Sequence, residues 1–315
     1  MGLAIKGKKA IGLALNGKNI IGEAKNGKVI WRFLIASNPW QFTADNNVNS
    51  VAVDSSGNVY AGTGGHSVYK LNISGNQVWQ FTADDQVNSV AVDSSGNVYA
   101  GTISNSVYKL DASGNQVWKF TADNNVVSVA VDSSGNVYAA DYNSVCKLNA
   151  SGNQVWKFTA DNAANSVAVD SGGNVYAGTV SSTISSSVYK LNASRTQVWK
   201  FTADHQVNSV AVDSSGNVYA GTDYSSVCKL NASGNQVWKF DADGSTVNSV
   251  AVDSSGNVYA GTISNSVYKL DASGNQVWKF TADDQVNSVA VDSSGNVYAG
   301  TEGNSVYKLT PDGSN

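Results

Sequence analysis

The sequence predicts an all-β fold in which seven four-stranded sheets form a ring, and three observations predict it. The segment VAVDSSGNVYAGT, or a close variant, occurs seven times, and the aspartates that end its first strand lie 38 to 43 residues apart. Within each unit, β-branched and aromatic residues alternate with polar ones, as in half-buried strands. SSGN and ASGN provide glycine for the turns between strands. Four strands in about 40 residues, repeated seven times, are typical of a seven-bladed β-propeller.

The second unit shows the four predicted strands in order. They are strand A, VNSVAVD (87–93); strand B, NVYAGT (97–102); strand C, SVYKLD (106–111); and strand D, QVWKFTA (116–122). Residues 87–123 recur without a change at 247–283. The repeats therefore arose by recent duplication, or selection has kept their sequences alike.

The two ends of the repeated region complement each other. The last unit, after Asp292, contains strands A, B and C but ends at LTPDGSN without a tryptophan strand. Residues 39–45 contain a tryptophan strand that no repeat precedes. We therefore expect this N-terminal segment to add the outer strand to the last blade, which closes the ring and covers a sheet edge. The propeller is predicted to span residues 37–315.

One tryptophan occupies the same position of strand D in every blade. A tryptophan can bury about 150 to 250 Å², so each is predicted to dock structurally against a neighbouring blade. The docking residues are Trp40, Trp79, Trp118, Trp156, Trp199, Trp238 and Trp278.

These residues carry a resemblance to known repeats. VYKLNASGNQVWKF, with a glycine four residues before the tryptophan, resembles the repeat of quinoprotein-like propellers, the PQQ-like family. SVAVDSSGNVYAGT is similar to the first half of an NHL-type repeat. The resemblance implies a propeller with tryptophans docked between blades. It implies no quinone cofactor, because the quinoprotein dehydrogenases are longer and use adjacent cysteines, which this sequence lacks.

Residues 1–36 form a separate module with a period of ten, GLAIKGKKAI, GLALNGKNII and GEAKNGKVIW. Asn16-Gly17 and Asn26-Gly27 predict hairpin turns in a small β-meander. Because so small a sheet is marginal alone, we expect it to attach to other virion proteins or to itself as a homo-oligomer. The lysine-glycine decads resemble N-terminal modules of bacteriophage tail and baseplate proteins.

Charge is divided unevenly along the chain. Residues 1–36 carry seven basic residues against one acidic residue, whereas the remainder carries 13 basic and 23 acidic residues. An acidic propeller repels nucleic acid, so DNA or RNA binding is not expected. No stretch reaches the length of a membrane span, and the N-terminus does not resemble a secretory signal.

Differences between the repeats concentrate in the B–C and D–A connections. In an antiparallel blade these connections emerge on one face, which we call the loop face, and loops on a rigid scaffold commonly carry recognition. Neutral drift at solvated turns is the alternative. The candidate binding residues are His66, Asp85, Asn105, Tyr142, Asn143, Ser182, Thr183, His205, Asp223, Tyr224, Asn265 and Glu302.

Tyr142 and Tyr224 each precede by four residues a cysteine that replaces a repeated tyrosine, Cys146 or Cys228. Each loop tyrosine either forms an exposed platform for a sugar ring or folds over the space beside the smaller cysteine. The cysteines occupy equivalent positions two repeats apart, so we expect buried free thiols rather than a disulfide.

The sequence offers little catalytic chemistry. Its two histidines lie in separate blades, and the repeated DSSGN is better explained by an aspartate that orders a tight turn than by a calcium loop. We predict no catalytic residues, no metal and no cofactor. Three functions remain: a phage tail or baseplate component that binds a host cell-surface glycan or protein, a bacterial envelope or secreted scaffold or lectin, and an enzyme. The first is preferred, with a location in the virion, and the enzyme is the least favoured.

Overall fold

A computed structural model describes residues 39–181 and 186–315 and, for the backbone alone, Asn143 and the strands within residues 13–34. The chain divides into two compact units, Met1–Asn38 and Pro39–Asn315. The first unit contains an antiparallel sheet of order β1-β2-β3, formed by β1 (Leu13–Leu15), β2 (Lys18–Lys25) and β3 (Lys28–Leu34). Leu15 pairs with Lys18 and Lys25 with Lys28. The predicted Asn-Gly turns between these pairs lie outside the described residues.

Blades 1, 2, 5 and 6 of the second unit each contain four consecutive antiparallel strands, A to D. Their strands are, in blade 1, β5 (Val48–Val53), β6 (Val59–Thr63), β7 (Ser67–Leu71) and β8 (Gln77–Thr82); in blade 2, β9 (Val87–Val92), β10 (Val98–Thr102), β11 (Ser106–Leu110) and β12 (Gln116–Thr121); in blade 5, β20 (Val207–Val212), β21 (Val218–Thr222), β22 (Ser226–Leu230) and β23 (Gln236–Asp241); and in blade 6, β24 (Val247–Val252), β25 (Val258–Thr262), β26 (Ser266–Leu270) and β27 (Gln276–Thr281).

Blades 3 and 4 share a strand and form one seven-stranded sheet. Its strands are β13 (Ser128–Val131), β14 (Val137–Ala140), β15 (Tyr142–Leu148), β16 (Gln154–Val169), β17 (Val175–Val180), β18 (Ser187–Leu191) and β19 (Gln197–Thr202). The D–A connection predicted here is thus part of β16. It stays extended because Ala164 pairs with Tyr142 of β15 and with Thr179 of β17.

Blade 7 contains β28 (Val286–Val291), β29 (Val297–Thr301), β30 (Ser305–Leu309) and β4 (Trp40–Thr43), in that order across the sheet. β4 lies antiparallel to β30, with Phe42 opposite Val306. The strand that enters the propeller first in the chain therefore pairs with the strand that ends it.

The hydrophobic core lies between the blades rather than at one centre. Each buried cluster joins valines, leucine and alanines of one blade to a tyrosine and a valine of the preceding blade, as Tyr298 and Val306 join Val48 and Val59 between blades 7 and 1. Burial of these side chains stabilises the structure by roughly 25 cal/mol per Å² of apolar surface. Every blade thus depends on its two neighbours.

A ring of serines connects the inner strands. Strand A is an edge strand, so some of its backbone N–H groups have no partner within the sheet. The N–H of Val90 donates to Ser50 Oγ of the preceding blade at 3.0 Å, and Val51 donates to Ser288 Oγ at 3.0 Å across the junction of blades 7 and 1. The same bond recurs at the other five junctions.

Tryptophan docking follows one pattern at six junctions. Trp79 packs on Gly114 of the next blade, where an added Cβ would lie 2.8 Å from the indole, and its Nε1 donates to the Ala112 carbonyl at 3.1 Å. Equivalent bonds are made by Trp40, Trp118, Trp199, Trp238 and Trp278. Trp156 departs from the pattern, because its Nε1 is buried without a hydrogen-bond partner in the described structure.

The aspartate of each DSSGN segment orders a turn, as predicted. Asp54 Oδ1 accepts the N–H groups of Ser56 and Asn58 at 2.9 Å, while Oδ2 accepts Asn58 Nδ2 at 2.8 Å and the Tyr60 hydroxyl at 3.0 Å. Burial opposes ionisation of Asp54, but these donors together lower the pKa of its carboxyl. The carboxylate oxygens are therefore engaged within the protein.

Candidate functional site

The loop face holds the predicted binding residues in several separate places. His66 Nε2 lies 3.6 Å from Asp85 Oδ1, so the B–C loop of blade 1 meets the connection from blade 1 to blade 2. Glu302 Oε2 accepts Asn287 Nδ2 at 2.9 Å and Asn47 Nδ2 at 3.5 Å. The two groups are linked through the B–C loop of blade 1, because the N–H of Gly64 donates to the Asn47 carbonyl at 3.0 Å.

Asn105 and Asn265 have roles within their own turns. Both have a positive φ, 66° and 59°, in the left-handed region that asparagine tolerates better than most residues. Their carbonyls accept the N–H groups of Ala122 and Ala282, each at 2.7 Å. Both residues are thus explained by loop geometry.

Four other predicted binding residues, Tyr142, Asn143, Ser182 and Thr183, give little information about a site. Tyr142 is 56% exposed and lies at the start of β15, and the side chain of Asn143 lies outside the described residues. Ser182 and Thr183 also lie outside the described residues. That Asn143, Ser182 and Thr183 contribute to binding therefore stays a prediction.

Three of the candidates, His205, Asp223 and Tyr224, lie together around a pocket of about 170 Å³. Its described lining comes from Ser181 and Ser186 of blade 4, from the B–C loop of blade 5 and from the connection between these blades. The remaining lining residues are Ser181, Ser186, Asp204 and Gln206. We call this the blade 5 pocket.

An exposed aromatic ring dominates the pocket. Tyr224 is 75% exposed, and its ring centroid lies 4.8 Å from that of His205 with 36° between the planes. Tyr224 and the adjacent Ser225 have positive φ values of 54° and 81°, a conformation that costs free energy for residues with a side chain. Both loop tyrosines are exposed, and the Tyr224 ring offers a flat aromatic surface to solvent at the pocket, which we call the platform.

Two carboxylates border this platform. Asp223 Oδ1 accepts Asn208 Nδ2 at 2.9 Å, and Asp204 Oδ2 accepts Lys239 Nζ at 3.1 Å. The pocket therefore combines an aromatic face with hydrogen-bond acceptors, which is a common composition for the polar ligand sites of proteins.

Cys228 lies below the blade 5 pocket in a narrow slot that has room for about 10 Å³, close to the space of one water. Phe201, Asp204, His205 and Lys239 also line the slot. Asp204 and His205 thus border both cavities, which places the slot directly beside the pocket.

The two cysteines, Cys146 and Cys228, are buried and poorly reactive. Burial raises the pKa of the Cys228 thiol to about 11 and that of Cys146 to about 12, so neither is a ready nucleophile at neutral pH. Both cysteines are free and buried, as predicted. Within the described part of the chain, no three His, Cys, Asp or Glu side chains are placed to hold a metal ion.

Sequence reasoning did not identify Asp204, Ser186 or Gln206 as pocket residues. Asp204 belongs to the repeated segment FTAD and looks structural in every blade. A signal was nevertheless present in the sequence. Six blades keep the repeated threonine at the end of strand B and the repeated serine at the start of strand C. Among these six, blade 5 alone replaces the strand C tyrosine, with Cys228.

The ring of four-stranded sheets with docked tryptophans defines the class of the protein, a seven-bladed β-propeller. A family model, PQQ_2, described as outer membrane protein assembly factor BamB, matches residues 18–119, 64–184 and 184–314. The chain therefore belongs to this family, and the predicted PQQ-like resemblance of the propeller is confirmed.

Solved structures agree on the fold. The chain is similar to the crystal structure of the WD40 beta propeller domain of Doa1, with a TM-score of 0.76 and 16% identity over 86% of this chain and 95% of that one. Because 1310 solved chains match, the fold by itself does not indicate a ligand. No curated protein sequence matches the chain. The described residues include no helix with the length and apolar character needed to cross a membrane.

Proposed function

We propose that the protein is a non-enzymatic binding protein whose loop face recognises a carbohydrate. The observation that supports this proposal best is the blade 5 pocket, in which the exposed ring of Tyr224 lies beside the acceptors Asp204 and Asp223. Sugar rings present apolar C–H faces to aromatic side chains and hydroxyls to carboxylates. A rigid propeller holds such groups in place at little entropic cost on binding.

The proposed setting is a bacteriophage tail or baseplate, with residues 1–36 attached to other virion proteins or to a second copy and the loop face directed to a host cell-surface glycan. The support is the resemblance of the lysine-glycine decads to N-terminal modules of phage tail proteins. A host-surface protein is the alternative ligand for the same face.

A second setting is an envelope or secreted scaffold or lectin of bacteria. The family description as an outer membrane assembly factor favours this alternative. Mass spectrometry of purified phage particles separates the two settings, because the protein is expected among virion proteins only in the first. Its presence in the cell envelope and absence from particles would favour the second.

Binding itself is tested on a glycan array with the whole chain and the variant Tyr224→Ala. The variant removes the aromatic platform, and we expect binding at least about tenfold weaker, which corresponds to about 1.4 kcal/mol. Ile263→Ala is a matched control, since Ile263 is an exposed apolar residue of the blade 6 B–C loop. Equal binding by all three proteins would contradict the proposed site.

A further inference from the structure

The carboxylate that follows strand D accepts a tyrosine hydroxyl from the next blade at two junctions where the partner tyrosine is present. Tyr189 donates to Asp161 Oδ2 at 2.9 Å, and Tyr268 donates to Asp243 Oδ2 at 2.7 Å. The tyrosine side chain thereby ties strand C of one blade to the connection from the previous blade.

The tyrosine ring also has fixed neighbours. Tyr189 packs edge to face on Phe158 of the preceding blade, with centroids 5.8 Å apart, and Lys200 Nζ lies 5.1 Å from its centroid. The same arrangement of phenylalanine, tyrosine and lysine recurs around Tyr268. A phenol ring is thus the usual occupant of this space.

Blade 5 has no phenol at this position. Cys228 pairs with Lys239 in the register in which Tyr189 pairs with Lys200, and the slot beside it is lined by Phe201, Asp204 and Lys239. The Cys228 side chain is shorter than a tyrosine and has no hydroxyl that could donate to Asp204. The Asp204 side chain is 76% exposed, compared with 71% for Asp161 and 65% for Asp243, and Lys239 Nζ lies 3.1 Å from its Oδ2.

The other cysteine blade is compensated within the chain. Lys157 lies 2.5 Å from Asp123 and 3.5 Å from Asp141, an aspartate that replaces the threonine of the other repeats and is 1% exposed. Ser144 also donates to Asp141. A partly buried ion pair, Lys157 with Asp141, therefore lies beside Cys146, whereas the slot beside Cys228 shares Asp204 and His205 with the blade 5 pocket.

We infer that the blade 5 pocket takes an uncharged sugar residue whose ring packs on Tyr224 and whose hydroxyl donates to Asp204 in place of the missing tyrosine hydroxyl. This inference rests on the proposed function and specifies its ligand. Two carboxylates, Asp204 and Asp223, line the pocket, and like charges disfavour the acid groups of uronic acids or phosphorylated glycans there. Neutral pyranosides are therefore the class that the site fits.

The experiment restores the tyrosine. Cys228→Tyr is expected to fold, because strand C carries tyrosine at this position in five blades, and its phenol would fill the slot and occupy Asp204. The probes are methyl glycosides of glucose, galactose and N-acetylglucosamine, with glucuronic acid as the acidic comparison, and binding is measured by calorimetry and saturation-transfer NMR. Cys146→Tyr makes the same change two blades away.

We expect the wild type and Cys146→Tyr to bind a neutral glycoside and Cys228→Tyr to bind at least about tenfold more weakly, with an unchanged or higher melting temperature. Asp204→Asn should also weaken binding, because a neutral amide is a poorer acceptor than a carboxylate. Equal binding by the wild type, Cys228→Tyr and Asp204→Asn would overturn this inference while leaving a loop-face site intact. Preference for glucuronic acid would overturn the ligand class, and a wild type that binds no glycan would overturn the proposed function itself.

Discussion

Position 195 shows how a single residue changes the junction between two blades. Six of the seven C–D turns place glycine under a tryptophan, where a Cβ would approach the indole to between 2.6 and 2.9 Å. The junction of blades 3 and 4 has Arg195 instead, with a φ of 71° and with Nη1 donating to the Lys157 carbonyl at 2.8 Å. The Trp156 indole loses its hydrogen bond at the same junction. We attribute the loss to the Cβ of Arg195, because a Cβ at each of the other six junctions would crowd the indole.

We therefore predict that Arg195→Gly stabilises the propeller. Glycine removes the strain of a positive φ and allows Trp156 to donate to a backbone carbonyl, and each effect contributes about 0.5 to 1.5 kcal/mol. Urea denaturation followed by tryptophan fluorescence measures the change. Gly234→Arg at the next junction is the reverse substitution and should destabilise. A midpoint that does not rise for Arg195→Gly would contradict this account of the junction.

The buried tyrosines of strand B predict a loss of stability in alkali. Burial, with the neighbouring turn aspartate, raises the pKa of Tyr60, Tyr99, Tyr138, Tyr176, Tyr219, Tyr259 and Tyr298. Unfolded tyrosine ionises near pH 10, so these residues stabilise the fold fully below that pH and progressively less as the pH rises above it. Urea midpoints from pH 8 to 11.5 should fall above pH 10. A flat profile would be the contrary result, and Tyr60→Phe should make the fall shallower.

Elements made of identical repeats were predictable from the sequence, and the exceptions were not. Strands of blade 2 begin and end within one residue of their predicted bounds, because period-two alternation and glycine turns fix them locally. The continuation of β16 through a predicted loop depends on pairing of Ala164 with Tyr142 of β15 and with Thr179 of β17, which the alternation of polar and apolar residues does not reveal. The blade 5 pocket likewise depends on two loops and a connection that only the folded ring brings together.

The serine ring offers a test of how the inner strands are joined. Ser50→Ala would leave the buried N–H of Val90 without its acceptor, and an unsatisfied buried donor costs about 1 to 3 kcal/mol. Ser95→Ala, on an exposed turn of blade 2, is the control and should change stability by less than about 0.5 kcal/mol. Thermal melts compare the two variants. Equal melting temperatures would contradict a stabilising role for the serine ring.

At the scale of the whole molecule, the ring is a single cooperative structure, because every core cluster spans two blades. β4 contributes three kinds of contact to this ring. Phe42 pairs with Val306, Trp40 Nε1 donates to the Ile73 carbonyl of blade 1 at 3.0 Å, and Gln41 Nε2 donates to Ser305 and Tyr307 at 2.8 and 3.1 Å. Residues that are far apart in the chain are thus held together by one short strand.

Two truncations separate the contribution of this strand from that of the N-terminal module. A chain that starts at residue 37 keeps β4, and we expect its propeller to melt as the full-length protein does. A chain that starts at residue 46 lacks the partly buried Trp40 and Phe42 and the backbone pairing of β4 with β30, so its melting temperature should fall sharply. The exposed edge of β30 should also promote association, which light scattering detects. If both truncated chains melted alike and stayed monomeric, pairing of β4 with β30 would not be what holds the ring closed.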